Sequence, residues 1–179
     1  MVPMFSISSI KVANTADLTA ITALLNSAYR GESSKQGWTH EGHLIDGDVR
    51  TNEETLQKVI QQENSILLKY VNEEQKIIGC VNLQQHAEKV YLGMLSVSPK
   101  LQGAGIGKQL LKAAEEYAVQ LRCKAIYMTV ISLRAELIDW YMRHGYQDTN
   151  ERIPFKENSL TGRHLQPLEF MVLEKTIAQ

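Results

Sequence analysis

Three glycines at alternate positions, followed by a lysine, are the residues of this chain whose spacing first suggests chemistry. They lie in the run QGAGIGK, from Gln102 to Lys108. Glycine lacks a Cβ atom, so the backbone of such a run can approach a ligand closely. Backbone amides at the start of a helix are also a common binding site for phosphate groups. The run therefore predicts either a phosphate-binding turn or a tight contact between a strand and a helix.

Two well-known phosphate motifs do not fit this run. A P-loop requires a serine or threonine after its lysine, but Lys108 is followed by Gln109. The dinucleotide-binding fingerprint requires a third glycine where Lys108 stands. Two arrangements remain: the amides of Gln102 to Lys108 point into one concavity at a helix N-terminus and bind a pyrophosphate, or the run is a tight turn between a strand and a helix that holds no ligand.

The elements that position this run predict a single α+β domain over residues 1–179. Apolar residues at helical spacing predict four helices. The first follows a cap at Asn14 or Thr15, and the second begins with a capping box of Thr51 and Glu54. The third follows the glycine run, and the fourth extends from Ser132 to Gly145. Alternating or continuous apolar runs predict strands at Ser6–Val12, Ser65–Val71, Lys76–Gln84, Val90–Val97 and Ala125–Ile131, then a hairpin from about Tyr146 to Lys175 with its loop at about Pro154–His164.

The segment from Tyr29 to Asp48, called the 29–48 segment below, has no clean hydrophobic period and contains four glycines. A loop of this length within a compact domain is usually functional or mobile. His40 and His43 lie in it, but their HEGH spacing differs from the HExxH pattern of helical zinc sites. The sequence therefore predicts a mobile functional loop and no metal site.

Composition excludes several classes of partner. The chain has 19 lysine and arginine residues against 20 acidic residues and no basic run, so we expect neither a nucleic-acid surface nor a membrane surface. No stretch approaches the roughly 18 apolar residues of a membrane-spanning helix, and the first residues lack the pattern of a secretory signal. Cys80 and Cys123 lie in apolar surroundings without a CxxC spacing, which predicts buried reduced thiols and a cytoplasmic protein.

Two stretches of the sequence resemble motifs of the GNAT superfamily of N-acetyltransferases. SVSPKLQGAGIGKQLLKAAEEYA is similar to the acetyl-CoA site of that family, whose signature is Arg/Gln-x-x-Gly-x-Gly/Ala after a strand. WYMRHGY, from Trp140 to Tyr146, matches its Leu-Tyr-x-x-x-Gly-Phe/Tyr motif. The order of the elements also agrees over almost the whole chain. The resemblance implies a mixed, mostly antiparallel central sheet of about six to seven strands flanked by about four helices.

The resemblance also implies an activity: transfer of an acetyl group from acetyl-CoA to a primary amine by direct attack in a ternary complex. Tyr141 takes the position of the residue that protonates the departing thiolate. The position of an asparagine that often contacts the cofactor falls on Arg134, a departure from the family pattern. A homodimer is possible, since dimers are common in this family. The residues that the resemblance assigns to the pantetheine arm and the pyrophosphate are Leu95, Ser96, Val97, Gln102, Gly103, Ala104, Gly105, Ile106, Gly107 and Lys108.

The fold that the resemblance implies brings the 29–48 segment to the acceptor amine. There Tyr29 and Trp38 would form an aromatic wall, while Glu32 and Glu41 would attract a cationic amine. Neither VYLGMLSV nor AIYMTVI carries a carboxylate or a histidine, so we expect water to remove the proton of the amine. The missing base also leaves open an alternative function, a non-catalytic acyl-CoA-binding or regulatory module.

Overall fold

A seven-stranded sheet dominates this computed structural model, which describes residues 2–157, 160 and 162–178. The strands of the described residues are β1 (Ile10–Val12), β2 (Ile45–Asp46), β3 (Ser65–Val71), β4 (Ile77–His86), β5 (Lys89–Val97), β6 (Ala125–Ile131), β7 (Gln147–Pro154), β8 (Arg163–His164) and β9 (Glu169–Thr176). The main sheet has the order β1-β3-β4-β5-β6-β9-β7, and β2 pairs with β8 in a second sheet. Only β5 and β6 are parallel, which confirms the expected mixed, mostly antiparallel sheet.

Helices cover both faces of this sheet. The described residues form α1 (Leu18–Tyr29), α2 (Gly31–Ser34), α3 (Glu53–Gln61), α4 (Ile106–Gln120) and α5 (Ala135–Arg143). Four were predicted, and the additional α2 is a single turn. Side chains alternate across a strand, so Leu67 of β3 packs in the core of α1 and α3, while Leu68 packs in the core of α4 and α5.

Several element boundaries differ from the prediction. Asn14 caps the first helical turn as expected, but Asn52 rather than Thr51 caps α3, because its side chain accepts the Thr55 amide at 2.9 Å. No side chain caps α5, because the Ser132 amide still donates to Glu169 of the neighbouring strand. The first strand is also shorter than predicted and begins at Ile10.

The 29–48 segment is folded against the rest of the chain and contains regular elements where the sequence predicted a loop. It contains α2 and β2, and β2 pairs with β8 through Ile45 and His164. Leu44 and Ile45 are buried in a core cluster with Ile131. The pairing partner β8 lies in the predicted Pro154–His164 loop, of which residues 158, 159 and 161 lie outside the described part of the chain.

The central strands separate part-way along their length. β5 and β6 are paired only from Lys89 with Ala125 to Tyr91 with Tyr127. On its other side, β5 has a bulge: the register with β4 runs from Asn82–Gly93 to Cys80–Ser96, so Met94 and Leu95 together oppose Val81. Met94 has a left-handed φ of 55°. A bulge bends its strand, so the second half of β5 leaves β6 and a gap opens between them.

We predict that Asn26→Ala lowers the free energy of unfolding by about 2 kcal/mol, because three backbone hydrogen bonds lose their partner. The Asn26 side chain accepts the amides of Arg50 and Thr51 at 2.6 and 3.0 Å and donates to the Thr51 carbonyl at 3.1 Å. It therefore joins the chain after the 29–48 segment to α1. Urea denaturation measures the loss. Thr19→Ala, at an exposed position of the same helix, is the control and should change stability little.

Candidate active site

The gap between β5 and β6 opens into a first cavity of about 510 Å³. The backbone and side chains of α4 and α5 form its other walls. Nine residues predicted to bind the cofactor line it: Leu95, Ser96, Val97, Gln102, Gly103, Gly105, Ile106, Gly107 and Lys108. Residues of α5 that the sequence analysis did not assign line it as well, namely Glu136, Leu137, Trp140, Arg143 and His144.

The glycine run forms the turn into α4 that the sequence predicts. Gly103 and Gly105 have left-handed φ angles of 92° and 81°, which glycine adopts without strain. The first intrahelical bond runs from the Gln109 amide to the Gly105 carbonyl at 3.1 Å, so the amides of residues 105–108 precede it. A Cβ atom on Gly103 or Gly105 would meet no protein atom within 4 Å. The turn therefore presents backbone donors beside open space.

Two residues of the run have other roles. The Ala104 amide donates to the Leu101 carbonyl at 3.3 Å, and Ala104 does not line the cavity. A Cβ atom on Gly107 would lie 3.2 Å from the Trp140 ring. Gly107 thus permits close packing of α4 on α5 in addition to lining the cavity.

The Gln102 side chain joins the turn to the 29–48 segment. Its Oε1 accepts the Trp38 amide at 2.8 Å, and its Nε2 donates to Thr39 Oγ1 at 2.9 Å and to the Val97 carbonyl at 3.1 Å. These hydrogen bonds hold Trp38 at the first cavity, where its ring centroid lies 6.0 Å from that of Trp140. Trp38, which was predicted to contact the acceptor, lies beside the glycine turn in the first cavity and does not line the second cavity described next.

A second cavity, of about 230 Å³, lies on the other side of the same gap. It is lined by residues of β5, β6, α5 and β9 and by residues from both ends of the 29–48 segment. The two cavities share four residues: Tyr29, Leu95, Leu137 and Tyr141. These four residues, called the shared wall below, are where molecules bound in the two cavities would meet.

Glu41 lines the second cavity, but it is not the free carboxylate that the sequence suggested. It is only 6% exposed, and its two oxygens accept from Arg30 Nε at 3.3 Å and from Arg134 Nη1 at 3.2 Å. Arg134, which the resemblance assigns to the cofactor, lines the second cavity and not the first. Glu32 is exposed, pairs with Lys35 and lines neither cavity.

Two tyrosines of the shared wall remain protonated at neutral pH. Burial raises the pKa of Tyr29, although the Arg134 guanidinium acts in the opposite direction. Burial raises the pKa of Tyr141 well above its usual value, and the neighbouring Tyr29 raises it further. Tyr29 donates its hydroxyl to the Leu95 carbonyl. Of the described residues, none is hydrogen-bonded to the Tyr141 hydroxyl, so this phenol is a proton donor available to a bound molecule.

Other residues that the sequence singled out lie apart from this chemistry. Among the described residues, no three histidine, cysteine, aspartate or glutamate side chains could hold a metal ion together. His40 hydrogen-bonds to Ser34 through Nδ1. Cys80 and Cys123 are both buried, and burial raises the pKa of Cys80 to about 12. No helix in the described part of the chain has the length and apolar character needed to span a membrane.

Comparison with known proteins identifies the family. The chain matches the model of the Acetyltransferase (GNAT) family over residues 20–146. It belongs to that family. A spermine/spermidine N(1)-acetyltransferase of Bacillus subtilis (strain 168) is 33% identical over 64 residues, which are 35% of this chain and 42% of that relative. The chain thus matches less than half the length of this relative.

Solved structures share the fold over nearly the whole chain. The ribosomal-protein-S18-alanine N-acetyltransferase of Escherichia coli is 15% identical with a TM-score of 0.70, covering 95% of this chain and 94% of that one. The ribosomal-protein-alanine N-acetyltransferase of Brucella melitensis is 16% identical with a TM-score of 0.69, covering 94% and 99%. At such identities the likeness establishes the fold alone.

We predict that Glu41→Gln destabilises the protein by about 3 kcal/mol, because two buried guanidinium groups lose their shared countercharge. The midpoint of urea denaturation measures this loss. Glu32→Gln removes the same charge from the exposed part of the same segment, and its midpoint should hardly move. Equal midpoints for the two variants would mean that the buried ion pairs contribute nothing to stability.

Proposed function

We propose that this protein transfers an acetyl group from acetyl-CoA to a primary amine by direct attack in a ternary complex. The observation that carries the proposal is the shared wall between the two cavities. A donor in the first cavity and an acceptor in the second would bring their reacting atoms together there. The wall contains no cysteine or serine, and burial keeps its two tyrosines protonated, so none of its four residues is an activated nucleophile for a covalent acetyl intermediate.

The residues of the first cavity fit acetyl-CoA. The amides of residues 105–108 and the positive end of the α4 dipole suit a pyrophosphate, and Lys108 adds a charge. The backbone of β5 beyond Tyr91 has no pairing partner in β6, so its polar groups on that side suit the amides of a pantetheine arm, apart from the Leu95 and Val97 carbonyls, which accept from Tyr29 and Gln102. When bound, acetyl-CoA supplies a thioester, whose acetyl group is the one transferred.

Three groups of the chain take part in the transfer. The amide bond forms as the C–S bond of the thioester breaks, and the Leu95 amide at the bulge of β5 stabilises the negative oxygen that develops. The Tyr141 hydroxyl gives its proton to the departing sulfur. The hydrogen bond of Tyr29 to the Leu95 carbonyl holds this part of β5 in place.

The proton of the amine passes to water. Of the described residues that line the second cavity, the only carboxylate is Glu41, and both of its oxygens are bonded to arginines. None of these lining residues is a histidine. The tyrosines of the shared wall are protonated and cannot accept a proton. The Tyr141 hydroxyl at this wall favours an enzyme over a module that only binds acyl-CoA.

The similarity to a relative named for spermine and spermidine does not identify the acceptor of this chain. The matched stretch is 42% of that protein. We therefore infer the acceptor of this chain from the residues that line its second cavity.

We predict that acetyl-CoA raises the melting temperature. At about 100 times its dissociation constant, the stabilisation should approach about 2.7 kcal/mol. Gly105→Ala should weaken binding at least about tenfold, because its methyl group enters the space beside the free amides. Gly31→Ala is the matched control, since Gly31 also has a left-handed φ, of 71°, but lines neither cavity. A melt that saturating acetyl-CoA leaves unchanged would contradict the proposal.

We predict that Tyr141→Phe lowers kcat by roughly 10²- to 10⁴-fold, towards the low end of the range for general acid catalysis. The loss is small for such a step because a thiolate with a pKa of about 8.5 can also leave without help. The raised pKa of Tyr141 keeps the phenol protonated, so the wild-type rate should fall only above about pH 10, and the variant should lack this fall.

The matched control is Tyr146→Phe. It removes a buried hydroxyl that has no hydrogen-bond partner and lines neither cavity. The acetyl-CoA-induced shift in melting temperature should be the same in both variants and the wild type. If kcat falls equally in Tyr141→Phe and Tyr146→Phe, Tyr141 has only a packing role.

A further inference from the structure

The second cavity has an excess of positive charge. The charged residues among its described lining are Arg30, Arg50, Arg134 and Lys156, against the single carboxylate of Glu41. Glu41 is bonded to both Arg30 and Arg134, and the charged residues of this lining have a formal net charge of +3, four positive charges against one negative. A polyamine bound there would place its ammonium groups beside like charges, which is unfavourable in a partly buried site.

Arg50 is the cation best suited to bind an anionic group. Its guanidinium lies over the Tyr29 ring, with Cζ 5.5 Å from the centroid, and Tyr29 belongs to the shared wall. No carboxylate of the described residues lies within ion-pair distance of it. Its backbone is fixed by the bond from its amide to Asn26 Oδ1. A guanidinium that lies over an aromatic ring and is not ion-paired with a described residue presents parallel N–H donors that match a carboxylate.

Arg134 is a second cation beside the same tyrosine ring as Arg50. Its guanidinium lies over the same Tyr29 ring, with Cζ 5.9 Å from the centroid. Glu41 engages it through Nη1, and that bond fixes the guanidinium without using all of its five N–H donors. Two guanidinium groups around one ring of the shared wall make an anion-binding position beside the place where the amine must react.

The second cavity also has an apolar part, and the cavity is small. Phe155 and Phe170, whose ring centroids are 5.3 Å apart, line it together with Met128 and Ile131. Its volume of about 230 Å³ is below the roughly 300–1,000 Å³ of sites for drug-sized ligands. The cavity therefore suits one small molecule with an apolar group.

We propose that the acceptor is a small primary amine that also carries a carboxylate and an apolar group, such as an apolar amino acid. Arg50 and Arg134 bind the carboxylate, the phenylalanines contact the apolar group, and the amine lies at the shared wall. This inference rests on the proposed function and narrows its acceptor from any primary amine to an anionic one.

The test compares amines that differ only in the carboxylate. Acetyl transfer is followed by release of the CoA thiol with phenylalanine and phenethylamine, with leucine and 3-methylbutylamine, and with spermidine. We expect kcat/KM to be at least about tenfold higher for each amino acid than for its decarboxylated partner. Arg50→Gln should lower this ratio by about 10- to 100-fold, the value of a charge-assisted hydrogen bond. Lys58→Gln, which removes the same charge from an exposed surface, should preserve the ratio.

A preference for spermidine or for the decarboxylated amines would overturn this inference and leave acetyl transfer standing. If no amine reacts, the proposed function fails, and binding decides the inference separately. N-acetylphenylalanine and N-phenethylacetamide are then titrated into the wild type and Arg50→Gln by calorimetry. If the wild type binds N-acetylphenylalanine more tightly than N-phenethylacetamide and Arg50→Gln loses this difference, the anion site is supported. Equal binding of the two compounds by the wild type overturns it. An unchanged melting temperature shows that Arg50→Gln is folded.

Discussion

Two parallel strands that remain paired for only three residues determine where the site lies. Beyond Tyr91 and Tyr127, β5 and β6 separate, and the bulge at Met94 and Leu95 bends β5 away. The gap leaves part of the β5 backbone without a β6 partner and gives room for a cavity on each side. The same separation lets Tyr141 of α5 approach Leu95, so that the two cavities meet at one wall.

The second cavity depends on a further constraint, the burial of Glu41. A carboxylate and two guanidinium groups are costly to remove from water, and only their mutual bonds offset that cost. Because Arg30 follows α1 and Arg134 precedes α5, the Glu41 carboxylate joins two helices through a segment that has no hydrophobic period of its own. Just after the same segment, the Arg50 amide donates a hydrogen bond to the Asn26 side chain of α1. Polar contacts rather than an apolar stripe therefore give this part of the chain its shape.

This difference explains what could be predicted from the sequence. The strands, the helices and the turn into α4 follow from local period and glycine spacing, and the structure has them. The positions of Trp38 and Glu41 depend on bonds to residues 64 and 93 positions away, which no local pattern reveals. The bulge at Met94 and the approach of Arg50 to Tyr29 likewise result from tertiary packing. Most residues that line the first cavity could therefore be predicted from the sequence, and most of those that line the second could not.

In the proposed function, the excess positive charge of the second cavity explains why the site needs no basic side chain. An ammonium ion in a cavity with an excess of positive charge is disfavoured relative to the neutral amine, so its pKa falls and water suffices to take the proton. The same positive charges attract the molecule through its carboxylate, so the repulsion of its ammonium group does not prevent binding. Tyr141 stays protonated because it is buried and still has a proton to give to the sulfur. The cations of the second cavity thus favour loss of a proton from the amine, while burial at the shared wall retains the proton that the leaving group needs.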